Sequence, residues 1–104
     1  MPPDAVEIAL LARIVEQGAC NDSARNRLLI QRYETAGWLM SSSRRNEWLV
    51  REEAKLSIRS RLVALLPEWE ADFELLRANG LDPKKPQDIE ALPALRRPHG
   101  PTVR

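Results

Sequence analysis

The sequence predicts a small, mainly α-helical domain that contains a short β-hairpin. Residues 4–66 include no proline, so long regular elements can form there. Within them, two apolar triplets, Trp38-Leu39-Met40 and Trp48-Leu49-Val50, are separated by seven polar residues. Apolar residues recur at helical spacing on both sides of the triplets. Together these observations predict a strand–turn–strand unit set between helices.

The length and composition predict one domain. A chain of 104 residues has room for a single small core. Its 43% of apolar and 30% of charged residues are typical of a soluble globular protein. We expect the domain to cover residues 1–92. Residues 93–104 contain three prolines and a glycine without a repeating apolar face, so we expect a mobile tail there.

The start of the chain predicts a soluble, cytoplasmic protein. It has no basic region before its first apolar stretch and carries Asp4 and Glu7, which argues against a signal peptide. No apolar run approaches the roughly 20 residues that cross a membrane. The single cysteine, Cys20, cannot form an internal disulfide, which favours a reducing compartment.

A first helix is predicted over residues 5–16. Asp4 lies near the positive end of the helix dipole, and Gly18 is a natural C-terminal stop. Polar side chains, among them Glu7, are expected outside the apolar stripe. That stripe is wide enough to predict either the centre of the core or a dimer interface. Its members are Val6, Ile8, Leu10, Leu11, Ile14 and Val15.

A second helix is predicted after a turn at residues 19–22. Asn21, Asp22 or Ser23 can cap it, and it should run to about Ala36 and end at Gly37.

The segment that follows has two interpretations. The simpler one is a β-hairpin whose turn is the polar run Ser41–Asn46. In the other, Ser42 or Ser43 caps one long helix from Arg44 to Leu66, because nothing in residues 46–66 would break it.

Helices are predicted for most of the remaining chain. Residues 52–66 are helical under either interpretation, and Pro67 opens a further helix that Asn79-Gly80 ends. Trp69, Phe73 and Leu76 should face the core from that helix. A short helix is expected over residues 87–92.

Positive charge is concentrated in the middle of the chain. Residues 21–61 carry nine basic and five acidic groups, net +4, whereas residues 1–20 are net −2 and residues 62–104 net −1. Such a basic centre favours an anionic partner. The candidate DNA-binding residues are Arg25, Arg27 and Arg32 of the second helix and Ser42, Ser43, Arg44 and Arg45 of the turn. The alternative is that these side chains are simply solvated.

No catalytic, metal or cofactor motif is present, so we do not expect an enzyme. Phosphate-loop, dinucleotide-loop, zinc-protease and nucleophile-elbow patterns are all missing. His99 and Cys20 have no partner nearby in sequence. The three tryptophans fit core anchors better than base-stacking groups. We expect a solvated acidic first turn in the fourth helix from Glu68, Glu70, Asp72 and Glu74.

Residues 4–50 resemble a winged helix-turn-helix. They predict, in order, a helix, a turn, a helix, a glycine, an apolar strand, a basic turn and a strand. The resemblance implies a winged-helix-like fold that binds DNA through its second helix and its basic turn. The segment differs from that family in placing two helices before the wing where three are usual. Either the second helical segment breaks near Asn26, or the fold is a different one.

The residues RLLIQRYETAGW are also similar to the leading segments of larger bacterial DNA-processing proteins. Among these is the Toprim-containing subunit of Wadjet-type plasmid-defence systems. No catalytic residue is carried over from that similarity, because no Toprim site is present.

The sequence therefore favours a non-enzymatic DNA-binding module or small regulator with double-stranded DNA as its partner. The alternative is a protein-interaction module, such as a small subunit of a bacterial or phage assembly. It would meet a protein partner, or form a homodimer, through the apolar faces of the first helix and of the Trp69/Phe73 helix.

Overall fold

The structure is a computed structural model, and it describes residues 3–97. Six α-helices and three β-strands follow one another within these residues, with a 3-10 turn at Glu52–Ala54. The elements are α1 (Pro3–Gln17), β1 (Ala19–Asn21), α2 (Arg27–Thr35), β2 (Leu39–Ser41), β3 (Glu47–Val50), α3 (Lys55–Leu65), α4 (Trp69–Ala78), α5 (Pro86–Ile89) and α6 (Leu92–Arg96).

The β-hairpin is confirmed. Strands β2 and β3 pair antiparallel, with Leu39 opposite Val50 and Ser41 opposite Trp48. The alternative of one long helix from Arg44 is wrong, because residues 47–50 are extended and α3 begins only at Lys55. The protein is thus mainly α-helical with a small antiparallel sheet.

A third strand occupies residues that we predicted to be a turn. Strand β1 pairs antiparallel with the free edge of β3, so the order in the sheet is β1-β3-β2. Cys20 is 2% exposed and lies opposite Trp48. Three residues are too few to show the alternation of apolar and polar side chains by which a strand is recognised in sequence.

Helix α2 begins later than predicted, at Arg27. The side chain of Asn26 accepts a hydrogen bond from Ser23 N (2.8 Å), and its amide donates to Asn21 O (3.2 Å). Residues 24–26 consequently form a turn. Asparagine often competes with helical backbone bonds in this way. The residues before Asn26 form a strand and a turn, so no further helix precedes α2 in this segment.

Helix α1 lies at the centre of the core. It packs against α3, α5 and β1, so its wide apolar face is covered within the chain. Of the two interpretations of that face, the core is the one observed. The inner face of the sheet adds Cys20, Leu39, Trp48 and Val50 to the same cluster.

The C-terminal helices add further side chains to the core. In α4, Phe73 and Leu76 are buried as predicted, and Trp69 packs edge-on against Phe73 with ring centroids 5.2 Å apart. Helix α5 provides buried Ile89.

The predicted tail begins inside a helix. Helix α6 crosses the expected boundary at residue 92, with Leu92 buried and Leu95 packed against the core. The expectation of a tail is therefore wrong for residues 93–96. Residues 98–104, which include His99, lie outside the described residues. None of the helices in the described range 3–97 has the length and apolar character needed to span a membrane.

Candidate nucleic-acid interface

The topology brings two separate polar segments to one end of the sheet. Strands β1 and β2 both run antiparallel to β3, so both end where β3 begins. Backbone N–H of Asp22 donates to Asn46 O at 3.0 Å, and the Asn21 amide donates to the same oxygen at 3.3 Å. Segment 21–26 and the β2–β3 turn at residues 42–46 are therefore neighbours. We call this region the basic end.

Internal hydrogen bonds shape the β2–β3 turn. The Ser42 hydroxyl donates to Glu47 Oε1 (2.6 Å) and accepts from Arg44 N (3.1 Å). Asn46 has φ 61°, a left-handed conformation that asparagine tolerates better than most residues. Ser42, predicted as a phosphate contact, is thus occupied in holding the turn, whereas Ser43 is exposed.

Three arginines in the basic end or directly after it form no salt bridge with the described residues. Arg27, Arg44 and Arg45 are all exposed, and none has an acidic side chain from residues 3–97 within 4.0 Å. By contrast, Arg61 and Arg96 each pair with a buried carboxylate. Positive charge is therefore in excess at this end of the molecule, where Asp22 and Glu47 carry the opposite charge.

Arg25 lies before α2 rather than on it. It is exposed in the 24–26 turn and lines a cavity of about 270 Å³ together with Arg13 and Lys84. Arg27 is the first residue of α2 and directly follows segment 21–26 of the basic end.

Arg32 faces a different side of α2 from Arg27. Successive helical residues are about 100° apart around the axis, so these two are about 140° apart. Between them lie the exposed side chains of Leu28, Gln31 and Thr35. Ile30 and Tyr33 are buried on the opposite side. Arg27 and Arg32 therefore flank this part of the exposed face, and exposed Glu34 lies about 20° beyond Arg27.

Glu7, which we expected outside the apolar stripe of α1, is a buried carboxylate beside Arg32. Glu7 is 6% exposed and accepts hydrogen bonds from the Tyr33 hydroxyl and from Arg61 Nε (3.0 Å) and Nη2 (2.9 Å). With Trp38 these side chains line a cavity of about 290 Å³. Spacing alone could have placed Glu7 inside, because it precedes Leu11 by four residues and Ile14 by seven.

The Glu7 network has a defined ionisation state. Burial raises the pKa of Glu7, but the hydrogen bonds from Arg61 and Tyr33 outweigh it and hold that pKa below its ordinary value of 4.5. Burial and the neighbouring carboxylate raise the pKa of Tyr33. Glu7 is therefore a carboxylate and Tyr33 a neutral donor at neutral pH.

The tryptophans pack as core anchors, as the sequence predicted. Trp38 stacks on Tyr33 with ring centroids 5.0 Å apart, and Trp48 and Trp69 pack against the core.

One of the four carboxylates that we expected to be solvated is buried. Asp72 is 6% exposed and binds the guanidinium of Arg96 through Nε (3.1 Å) and Nη2 (2.5 Å). The sequence did not indicate the burial of Asp72, because its partner Arg96 lies in α6, a helix that we did not predict. Within the described part of the chain, no three histidine, cysteine, aspartate or glutamate side chains are grouped so that they could hold a metal ion.

Comparison with protein-family models, curated proteins and solved structures finds no match to this chain.

Proposed function

We propose that the protein binds double-stranded DNA through α2 and the β2–β3 turn. The observation that carries this proposal is the basic end: exposed Arg44 and Arg45 lie in the turn, exposed Arg27 directly follows the neighbouring segment 21–26, and none of the three has a salt bridge to other described residues. Guanidinium groups without a salt bridge can donate hydrogen bonds to phosphate oxygens, and their planar shape suits bidentate contacts of this kind.

The dimensions of α2 support the proposal. Its nine residues span about 14 Å, and the major groove, about 12 Å wide, admits one α-helix. Arg27 and Arg32, about 140° apart around the helix axis, would lie toward the two phosphate backbones that border the groove. The β2–β3 turn would then contact the backbone next to the groove with Arg44 and Arg45.

The order of elements also supports this assignment. Helix α1, strand β1, helix α2 and the β2–β3 hairpin follow the course of a winged helix-turn-helix. Between β1 and β2, however, the chain has one helix and the short turn 24–26 where that fold has two helices. In our proposal α2 therefore enters the major groove, and the short turn 24–26 stands where the winged helix-turn-helix has another helix.

The alternative of a protein-interaction module lacks a comparable observation. Its predicted surfaces were the apolar face of α1 and the Trp69/Phe73 face of α4. Both pack against the protein's own core.

Duplex binding measured over a series of salt concentrations tests the proposal. Each lost phosphate contact should make the fall of log affinity with log salt shallower by about 0.9. The double variant Arg44→Ala/Arg45→Ala should therefore show a slope lower by about 2 and weaker binding at low salt.

The matched control is Arg51→Ala/Arg97→Ala, which removes the same charge from exposed positions. Arg51 follows β3 at the opposite end of the sheet from the turn, and Arg97 follows α6. Only a small change is expected for it. Absence of duplex binding at low salt, or equal slopes for the two double variants, would contradict the proposal.

A further inference from the structure

The exposed face of α2 has a composition that the fold does not explain. Leu28 is 77% exposed although α2 supplies Ile30 and Tyr33 to the core. Gln31 lies three residues further on and is also exposed, so the two side chains are neighbours on the helix surface. Each lies about 30° from the midpoint between Arg27 and Arg32, and exposed Thr35, the last residue of α2, lies about 10° from it. An apolar group and an amide thus lie within a face that has a guanidinium on each side.

From this arrangement we infer that α2 reads an A·T base pair, with Gln31 on the adenine and Leu28 on the thymine methyl group. The inference rests on the proposed function and adds sequence preference to it. It assigns Leu28 and Gln31 to the bases and leaves the flanking arginines to the phosphates.

The chemistry of Gln31 favours adenine. A carboxamide presents an acceptor and a donor side by side, which match the N6 donor and the N7 acceptor of adenine in the major groove. Guanine presents two acceptors there, N7 and O6. The amide oxygen would then face an acceptor, and one group would lose its hydrogen bond.

The chemistry of Leu28 favours thymine. The C5-methyl group of thymine is the apolar feature of the major groove, and a leucine side chain can bury it. Cytosine offers its N4 amino group instead, which Leu28 would cover without accepting a hydrogen bond. Leu28 and Gln31 therefore both disfavour a G·C pair.

Selection from a random duplex library supplies the preferred site, and substituted bases in that site test the two contacts separately. The expected site contains an A·T pair whose replacement by G·C weakens binding by roughly 5- to 150-fold. In Gln31→Ala most of that discrimination should be lost. Replacing adenine by 7-deazaadenine, which lacks the N7 acceptor, should weaken binding of the unmodified protein but not of Gln31→Ala.

Replacing thymine by uracil removes only the methyl group. This change should weaken binding of the unmodified protein about 4-fold, which corresponds to the free energy of burying one methyl group. It should not affect binding by Leu28→Ala. Gln87→Ala, an exposed glutamine of α5, is the control for loss of an amide elsewhere. Because Leu28 and Gln31 are exposed, neither variant should unfold, and thermal melting checks this.

The outcomes separate the inference from the function on which it rests. Salt-dependent duplex binding without an A·T preference, or substituted bases that affect Leu28→Ala and Gln31→Ala as much as the unmodified protein, would overturn the inference and leave DNA binding in place. Absence of duplex binding at any salt concentration would overturn both.

Discussion

The hydrogen bond from Tyr33 to Glu7 predicts a specific loss of stability in the Tyr33→Phe variant. The substitution removes the hydroxyl but keeps the ring, so the stacking on Trp38 remains and no large cavity forms. A hydrogen bond to a charged acceptor contributes about 1.5–3 kcal/mol. Because Glu7 retains both bonds from Arg61, its carboxylate is not left without partners. We therefore expect a loss near the lower limit, about 1.5–2 kcal/mol.

Urea and thermal denaturation followed by circular dichroism measure this loss. The average entropy of unfolding per residue implies that 1 kcal/mol shifts the melting temperature of a domain of this size by about 5 °C. The expected shift for Tyr33→Phe is therefore about 7–10 °C downward. Ser60→Ala, which removes an exposed hydroxyl from α3, is the control and should change stability by less than about 0.5 kcal/mol. Equal melting temperatures for the two variants would refute the reasoning.

The same network predicts how stability depends on pH. The folded-state pKa of Glu7 is depressed, so between that pKa and the ordinary value of 4.5 the unfolded chain binds more protons than the folded one. The stabilisation from Glu7 is therefore complete above about pH 5 and is lost as the pH falls through the folded-state pKa. Glu7→Gln should be less stable than the unmodified protein at pH 7, with a difference that shrinks toward pH 3. A constant difference between these pH values would contradict the assigned ionisation.

Three further predictions concern other parts of the fold. Burial raises the pKa of Cys20 to about 11, so mass spectrometry should show no alkylation at pH 8 until the protein is unfolded in urea. Arg96→Ala should lower the free energy of unfolding by about 1–3 kcal/mol, because it leaves the buried Asp72 carboxylate without its partner, whereas Arg97→Ala should change it by less than about 0.5 kcal/mol. Asn46→Val should be less stable than Asn46→Gly by about 1–2 kcal/mol in thermal denaturation, because φ at this position is positive.

Helix α1 was predictable from its period and the hairpin from a contrast in polarity, whereas β1 and α6 were not predicted. Helix α1 carries enough apolar residues to define a helical period. The hairpin triplets do not define a period, and the seven polar residues between them favoured the hairpin. Strand β1 has three residues and α6 has five, and in each the apolar residues are too few to define a period. Their structure depends on partners distant in sequence: β1 on the free edge of β3, and α6 on Asp72 of α4.

The candidate interface was predictable in composition but not in geometry. The exposed arginines of the turn follow from a polar run between two apolar triplets. Their proximity to segment 21–26 does not, because it depends on the pairing of β1 with β3 and on the hydrogen bond from Asp22 to Asn46. The position of Glu7 was missed because its charge was given more weight than its spacing. A buried carboxylate becomes favourable only with partners such as Tyr33 and Arg61, which come from other helices.

The two faces of α2 have separate roles. The inner face stabilises the fold, and any binding by the helix takes place on the exposed face. A nine-residue helix is marginal by itself, and no side chain caps its N-terminus, so packing must hold its orientation. Ile30 and Tyr33 supply that packing on the inner face, and Tyr33 joins the helix to α1 through its hydrogen bond to Glu7, which Arg61 of α3 also binds. The exposed face contributes little to the core. Variants of Leu28 or Gln31 therefore change what the helix presents to a partner without changing how the helix is held.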